Sequence, residues 1–176
     1  PKRVNAMAEL MGVIPGMSLD LTTNDVDGQS WDFNVEAKRE KAERLVKEKR
    51  ALLLIGSPMC SAFSQLQHLN FGKMNAQEVE QVIAHGTRHL EFCMRLYKLQ
   101  HEKGLYFLHE HPHSAASWDN HMVKAMLEMK GVVKVKSHMC AFGMRQDDLQ
   151  GGALVKKPTG FMTNARKIGE ILARDC

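Results

Sequence analysis

The sequence predicts an α/β fold, a mainly parallel sheet flanked by helices. Three observations carry that expectation. Leu52-Leu53-Leu54-Ile55 and Leu105-Tyr106-Phe107-Leu108 are short, unbroken apolar runs, the pattern of strands buried on both faces. Between them, residues 76–103 hold apolar side chains at helical spacing, long enough to carry the chain back for a parallel pairing. Further strand-like and helix-like stretches alternate to the end of the chain. At 176 residues, with 44% hydrophobic and 25% charged content, the chain can enclose one core, so a single domain over residues 1–176 is expected. It opens Pro1-Lys2-Arg3-Val4 without a starting methionine, and a fragment of a longer protein is expected.

Taken in order, residues 2–11 place Val4, Met7, Ala8, Leu10 and Met11 at near-helical spacing, and Gly12 closes the segment. Met17-Ser18-Leu19-Asp20-Leu21 alternates, which predicts a short strand ending near an acid. Residues 22–30 are polar loop. Asn34 is the expected N-cap of a charged helix over 35–50, where Glu40/Arg44 and Glu43/Lys47 fall at i,i+4 and a solvated face is expected. The strand at 52–55 stops at Gly56-Ser57-Pro58, a turn signal, and Cys60 follows. Residues 61–75 read as loop, with Phe63, Leu66, Leu69 and Phe71 available for packing. The helix over 76–103 ends at Gly104, and the second strand runs out into His109-Glu110-His111-Pro112-His113. A helix over 115–130 and a weaker strand over 132–135 follow. Residues 140–159 are glycine-containing and polar, 160–163 a short last strand, and 165–174 a closing helix. The twelve methionines fall mostly on helical faces, as core filling rather than a thioether metal site.

No apolar run approaches the roughly 20 residues that span a bilayer, so no membrane partner is expected. Cys60, Cys93, Cys140 and Cys176 are widely spaced, with no CxxC pair. That fits neither a zinc ribbon nor a small disulfide scaffold and points to a reducing, intracellular location, nucleus or cytoplasm. A net charge of +4, with nine histidines neutral, permits a polyanionic partner without requiring one. The oligomeric state is left open.

Chemistry concentrates at two strand ends, Ser57-Pro58-Met59-Cys60 and Glu110-His111-Pro112. In an open α/β sheet, ligands bind beyond the carboxyl ends of the strands. If the two strands are parallel neighbours, Cys60 and Glu110 share one crevice. A thiolate there can add to an electron-poor ring carbon while a carboxylic acid steadies the ring nitrogen that gains electron density. Cytosine chemistry at C5 needs both groups, the cysteine at C6 and the acid at N3.

With those residues in view, the sequence resembles the C5-cytosine DNA methyltransferase family. Ser57-Pro58-Met59-Cys60-Ser61-Ala62-Phe63-Ser64 resembles its Pro-Cys nucleophile loop, and Glu110-His111-Pro112 its Glu-Asn-Val motif, closer to the Glu-Asn-Pro form of phage-type relatives. The likeness extends to methyltransferase-like domains inside the retroelement polyproteins of some protists. It implies a Rossmann-like domain, with Cys60 as nucleophile and Glu110 as the acid at the ring nitrogen. It also implies S-adenosylmethionine as cofactor, held by Asp20, Asp32, Phe33 and the loop-shaping Pro58, and DNA as partner. Ser57, Ser61, His111, Lys156, Lys157 and Asn164 are the implied substrate contacts, the last three from a basic segment that includes Phe142-Gly143, Pro158-Thr159 and Thr163. The family's glycine-bearing cofactor loop would lie upstream of Pro1, Met59 stands where a Pro or small residue is usual, and His111 replaces Asn. The expected reaction is methyl transfer to C5 of cytosine in DNA through a covalent cysteine adduct, and a decayed, inactive relative is the companion expectation.

Two other readings stay open on the same residues. His109 and His111 point the same way on an extended strand, and with His138 and Cys140 they could hold zinc for a hydrolase, although neither HExxH nor a cysteine pair is present. A non-catalytic nucleic-acid-binding domain could use Lys130, Lys134, Lys136, Lys156 and Lys157, against the plainer reading of scattered surface lysines. Trp118 is expected to pack, with stacking on a flipped base as the alternative. Asp20 and Asp32 could equally be turn or cap residues.

Overall fold

The computed structural model describes residues 3–147 and 152–176. The chain divides into two compact units, the first ending at Ala51 and the second beginning at Leu52. In the first, α1 (Arg3–Leu10) and α2 (Glu36–Lys49) bracket a turn-rich segment with one antiparallel bridge, Asn24 to Ser30. No strand forms over residues 17–21, a correction to the sequence reading. Side chains supply the cause: Thr23 Oγ1 donates to the carbonyls of Ser18 and Asp20, and Asp20 Oδ1 accepts from the amide and hydroxyl of Thr22. Such local bonds compete with a strand ladder for the backbone.

The N-cap of α2 is Val35, not Asn34, and Asp32 Oδ1 accepts from the Asn34 amide to close the turn before it. The charged helix is not solvated all round. Lys38 is buried between Asp25 and Asp27, at 2.8 and 2.7 Å, and Lys41 reaches Asp25 at 2.7 Å. Both ammonium groups lie over the buried Trp31 ring. The two lysines hold the Asp25 carboxyl well below the usual carboxylate range.

The second unit carries the sheet. Its elements are β1 (Leu53–Gly56), α3 (Gln65–Phe71), α4 (Ala76–Glu102), β2 (Tyr106–Pro112), α5 (His121–Leu127), β3 (Val133–His138), β4 (Arg145–Gln146), β5 (Ala153–Leu154), β6 (Pro158–Thr163) and α6 (Arg166–Leu172). The four-stranded sheet has the order β1-β2-β6-β3, with β1 parallel to β2 and β6 antiparallel to both its neighbours. The sheet is therefore mixed rather than mainly parallel. The reason lies between β3 and β6: the described residues there form only a short turn and the β4–β5 ribbon, with no crossover helix, and a chain that returns without one pairs antiparallel.

Helix α4 organises the core. Asn75 and Glu78 form a reciprocal capping box at its start. Its buried face, Leu90, Met94 and Tyr97, packs with Phe107, Trp118, Val123, Met126 and Met162. No helix among the described residues is long and apolar enough to cross a membrane. Two stretches read differently from expectation. Residues 61–75 contain α3, started by Ser64, whose hydroxyl accepts from the Gln67 amide. The helix expected over 115–130 is split into a 3-10 turn at Ala116–Asp119 and α5, because Asn120 starts a new cap on the Met122 amide.

The carboxyl-terminal segment folds back on β3. The Ser137 hydroxyl donates to the Leu172 carbonyl, the His138 amide donates to the Arg174 carbonyl at 2.8 Å, and Cys140 is disulfide-bonded to Cys176. That pairing departs from the reading of four widely spaced cysteines as no disulfide scaffold. A separation of 36 residues carries no sequence signal for it.

Candidate active site

The parallel register of β1 and β2 sets Gly56 beside His109, so the chain leaving β1 emerges next to Glu110. Ser57, the first residue of that loop, donates from Oγ to Glu110 Oε2 at 2.5 Å. The Glu110 side chain is 27% exposed, and Lys157 Nζ lies 3.9 Å from its other oxygen. Pro58 is half-buried. Cys60, a half-buried free thiol, opens a 3-10 turn over Ser61–Phe63, its carbonyl accepting from the Phe63 amide at 3.0 Å. Ser61 and Lys156 are exposed nearby in sequence to these groups. The two motifs thus meet through the Ser57–Glu110 bond, with Lys157 arriving from the segment before β6.

Strand alternation separates Glu110 from its neighbours. Phe107, His109 and His111 face the core, while Glu110 stands on the half-exposed side. His111, expected at the substrate, is instead fully buried: Nδ1 lies 2.5 Å from Ser117 Oγ, and the ring meets Phe63 edge-on. His109 stacks on it at 5.4 Å and bonds Tyr97 through Nδ1 at 3.2 Å. Burial pushes His109 down to about 3, and burial first of all lowers His111, opposed by the charge of Glu110. Both rings are neutral near pH 7. Burial pushes the thiol of the partly buried Cys93 up to about 12, so it holds its proton near pH 7.

Asn164 is the second site expectation the structure corrects. It follows β6, which runs antiparallel to β2, and so reaches the end of β2 opposite to Glu110. There its Oδ1 accepts from the Phe107 amide and its Nδ2 donates to the Leu105 carbonyl, tying the sheet to the end of α4. Trp118 packs as expected, its Nε1 donating to the Pro112 carbonyl and its ring against Gly160, where a Cβ would stand 2.6 Å from the indole. Lys134 covers the same indole at 3.9 Å. Lys130 and Lys136 are exposed.

Metal binding finds no ligand set here: among the described residues, no three of His, Cys, Asp and Glu come together to hold an ion. Cys140 is in its disulfide, and His138 Nδ1 lies 3.0 Å from Asp175. Asp20, Asp32 and Phe33 belong to the first unit. Asp20 sits in a turn, where the Thr22 bonds hold its carboxyl below the usual range; Phe33 is half-buried against Trp31 at 6.4 Å. The sequence reading did not single out Ser117 or Tyr97, which support the two histidines. The i,i+2 histidines marked the buried face, but nothing in the sequence pairs either with its partner.

Fold and site together define a mixed α/β protein with a cysteine loop joined to a strand-borne glutamate. Comparison with protein-family models, curated proteins and solved structures finds no match for this chain.

Proposed function

We propose that the second unit is built as a methyltransferase-like, Rossmann-related catalytic module for C5 of cytosine in DNA, with Cys60 as nucleophile and Glu110 as acid. The observation that carries this reading is the Ser57–Glu110 bond between parallel neighbouring strands, which ties the cysteine loop to the carboxyl group. A carboxyl group half-open to solvent and a free thiol on a short turn are the two groups that addition to a cytosine ring requires. Cys60 Sγ forms a bond to C6 as the 5,6 double bond opens, and a proton from Glu110 on N3 neutralises the charge that develops there. The ring must leave the base stack for Sγ to reach its face. Ser57 holds Glu110 in the free protein and is the group a ring nitrogen would displace. The exposed Lys156 and Lys157 supply cations for the phosphate backbone.

S-adenosylmethionine is the implied donor and supplies an electrophilic methyl group when bound. By the resemblance, Asp20 would meet its ribose and Asp32 with Phe33 its adenine; all three lie in the first unit, where Asp20 Oδ1 accepts from Thr22 and Asp32 Oδ1 from the Asn34 amide. The direct test incubates the chain with S-adenosylmethionine and 5-fluorocytosine DNA. A protein–DNA adduct that survives denaturation is expected, and it disappears in Cys60→Ala. No adduct with the unsubstituted chain removes the reading.

A further inference from the structure

The chemistry proposed above uses neither buried histidine of β2, yet one of them is aimed at the nucleophile loop. His111 is wholly enclosed. Ser117 Oγ holds its Nδ1 at 2.5 Å, and its ring lies edge-on to Phe63, three residues after Cys60, with centroids 6.0 Å apart. Its other nitrogen, Nε2, meets no strictly aligned partner, while the Pro58 and Met59 carbonyls favour a proton on the ring. The ring is neutral and carries one proton. In the tautomer where the Ser117 hydroxyl donates to Nδ1, that proton sits on Nε2.

We propose that His111 is a positioning residue for Cys60: its Nε2–H is the donor onto which the Pro58 and Met59 carbonyls settle, fixing the loop that presents the thiol. Ser117 sets the ring's tautomer and angle, and Phe63 closes the far side of the same loop. The inference rests on the reading above only for naming Cys60 as the reacting group. The bracing itself is a property of the loop and is measurable without DNA or cofactor.

The test is alkylation of Cys60 by iodoacetamide in the whole, oxidised chain, followed by peptide mass spectrometry. Cys140 and Cys176 are tied to each other and burial pushes the Cys93 thiol up to about 12, so Cys60, read by its own peptide, is the reporter. His111→Gln places an amide donor near the position of Nε2, whereas His111→Asn keeps only the side that meets Ser117. Alkylation about five- to tenfold faster is expected in His111→Asn, the factor that one lost hydrogen bond gives in a local opening equilibrium. His111→Gln should stay within about twofold of the unsubstituted chain by the same reasoning. Ser117→Ala, which leaves the ring in place but frees it to turn, should also speed alkylation and serves where a His111 variant fails to fold. Equal rates for the Gln and Asn variants, or unsubstituted rates in Asn and Ser117→Ala with the far-ultraviolet circular dichroism unchanged, would overturn the proposal. An Asn–Gln split in a chain that forms no adduct with 5-fluorocytosine DNA would retire methyl transfer and leave the role of His111 standing.

Discussion

Gly86 offers a test of how tightly the cysteine turn is held. It lies inside α4, and a Cβ built on it would stand 2.5 Å from Ala62 Cβ and 3.3 Å from Phe63 Cε2. On an open helix face, Gly→Ala stabilises by about 1 kcal/mol through helix propensity. Here the new methyl enters the close contact between α4 and the turn that follows Cys60. Ala62 Cβ is fixed to the backbone and cannot rotate away, so the turn itself must move. Overpacking of this kind costs about 1–3 kcal/mol, which leaves Gly86→Ala up to about 2 kcal/mol less stable after the propensity gain. Ala62→Gly removes the opposing methyl, and the double variant should be more stable than the sum of the singles by the overpacking relieved, about 1–3 kcal/mol. Urea denaturation followed by far-ultraviolet circular dichroism, dominated by α4, reads both quantities. The displaced turn should also raise the alkylation rate of Cys60. A Gly86→Ala chain that gains about 1 kcal/mol, as at an exposed helix site, would refute the packing argument.

Other outcomes follow from the same geometry. Glu110→Gln should suppress adduct formation with 5-fluorocytosine DNA strongly while leaving S-adenosylmethionine binding by calorimetry unchanged; a parallel loss of both would make Glu110 structural. His109 is neutral in the folded chain, with its pKa depressed from 6.5 to about 3. Its contribution is thus complete above pH 6.5, and stability declines as pH falls toward 3, with a slope of up to about 1.4 kcal/mol per pH unit while the unfolded chain alone takes the proton. Urea midpoints between pH 7 and pH 5 should show that decline and His109→Phe should flatten it; equal slopes would contradict the burial of His109. Asp25 has the same sign at lower pH: its share is present above the usual carboxylate range and is lost on acidification, so Lys38→Met should shrink the acid-induced loss of α2 helicity. The Cys140–Cys176 bond closes a separation of 36 residues, for which loop-closure entropy gives about 3–4 kcal/mol. Cys176→Ser should lower stability by roughly that amount in oxidising buffer and change nothing under dithiothreitol.

What the sequence could and could not show follows from the range of each interaction. The strand before Cys60 and the helix from Ala76 were legible because apolar runs, turn residues and caps act within a few residues of one another. The pairing of β1 with β2 was legible as well, since a crossover of helical length nearly dictates a parallel neighbour, and with it came the approach of the Cys60 loop to Glu110. The insertion of β6 between β2 and β3 was not. It depends on the lack of a crossover α-helix among the described residues between 138 and 158, and glycine and polar residues there describe a loop without saying which strands it joins. The error over Asn164 descends directly from that. Read on a parallel strand, Asn164 stands at the same end as Glu110; on the reversed strand it is carried to the far end, where Leu105 and Phe107 take its side chain. Lys157, just before the same strand, is carried the other way and reaches Glu110. One reversed strand therefore sorts the basic segment into a residue that meets the candidate chemistry and a residue that ties down the fold. Lys157→Met should accordingly weaken DNA adduct formation with little loss of stability, whereas Asn164→Ala should lower stability by about 1–3 kcal/mol by orphaning buried backbone groups. Urea denaturation and adduct yield on the two variants separate these roles, and a stability loss in Lys157→Met matching that of Asn164→Ala would undo the assignment.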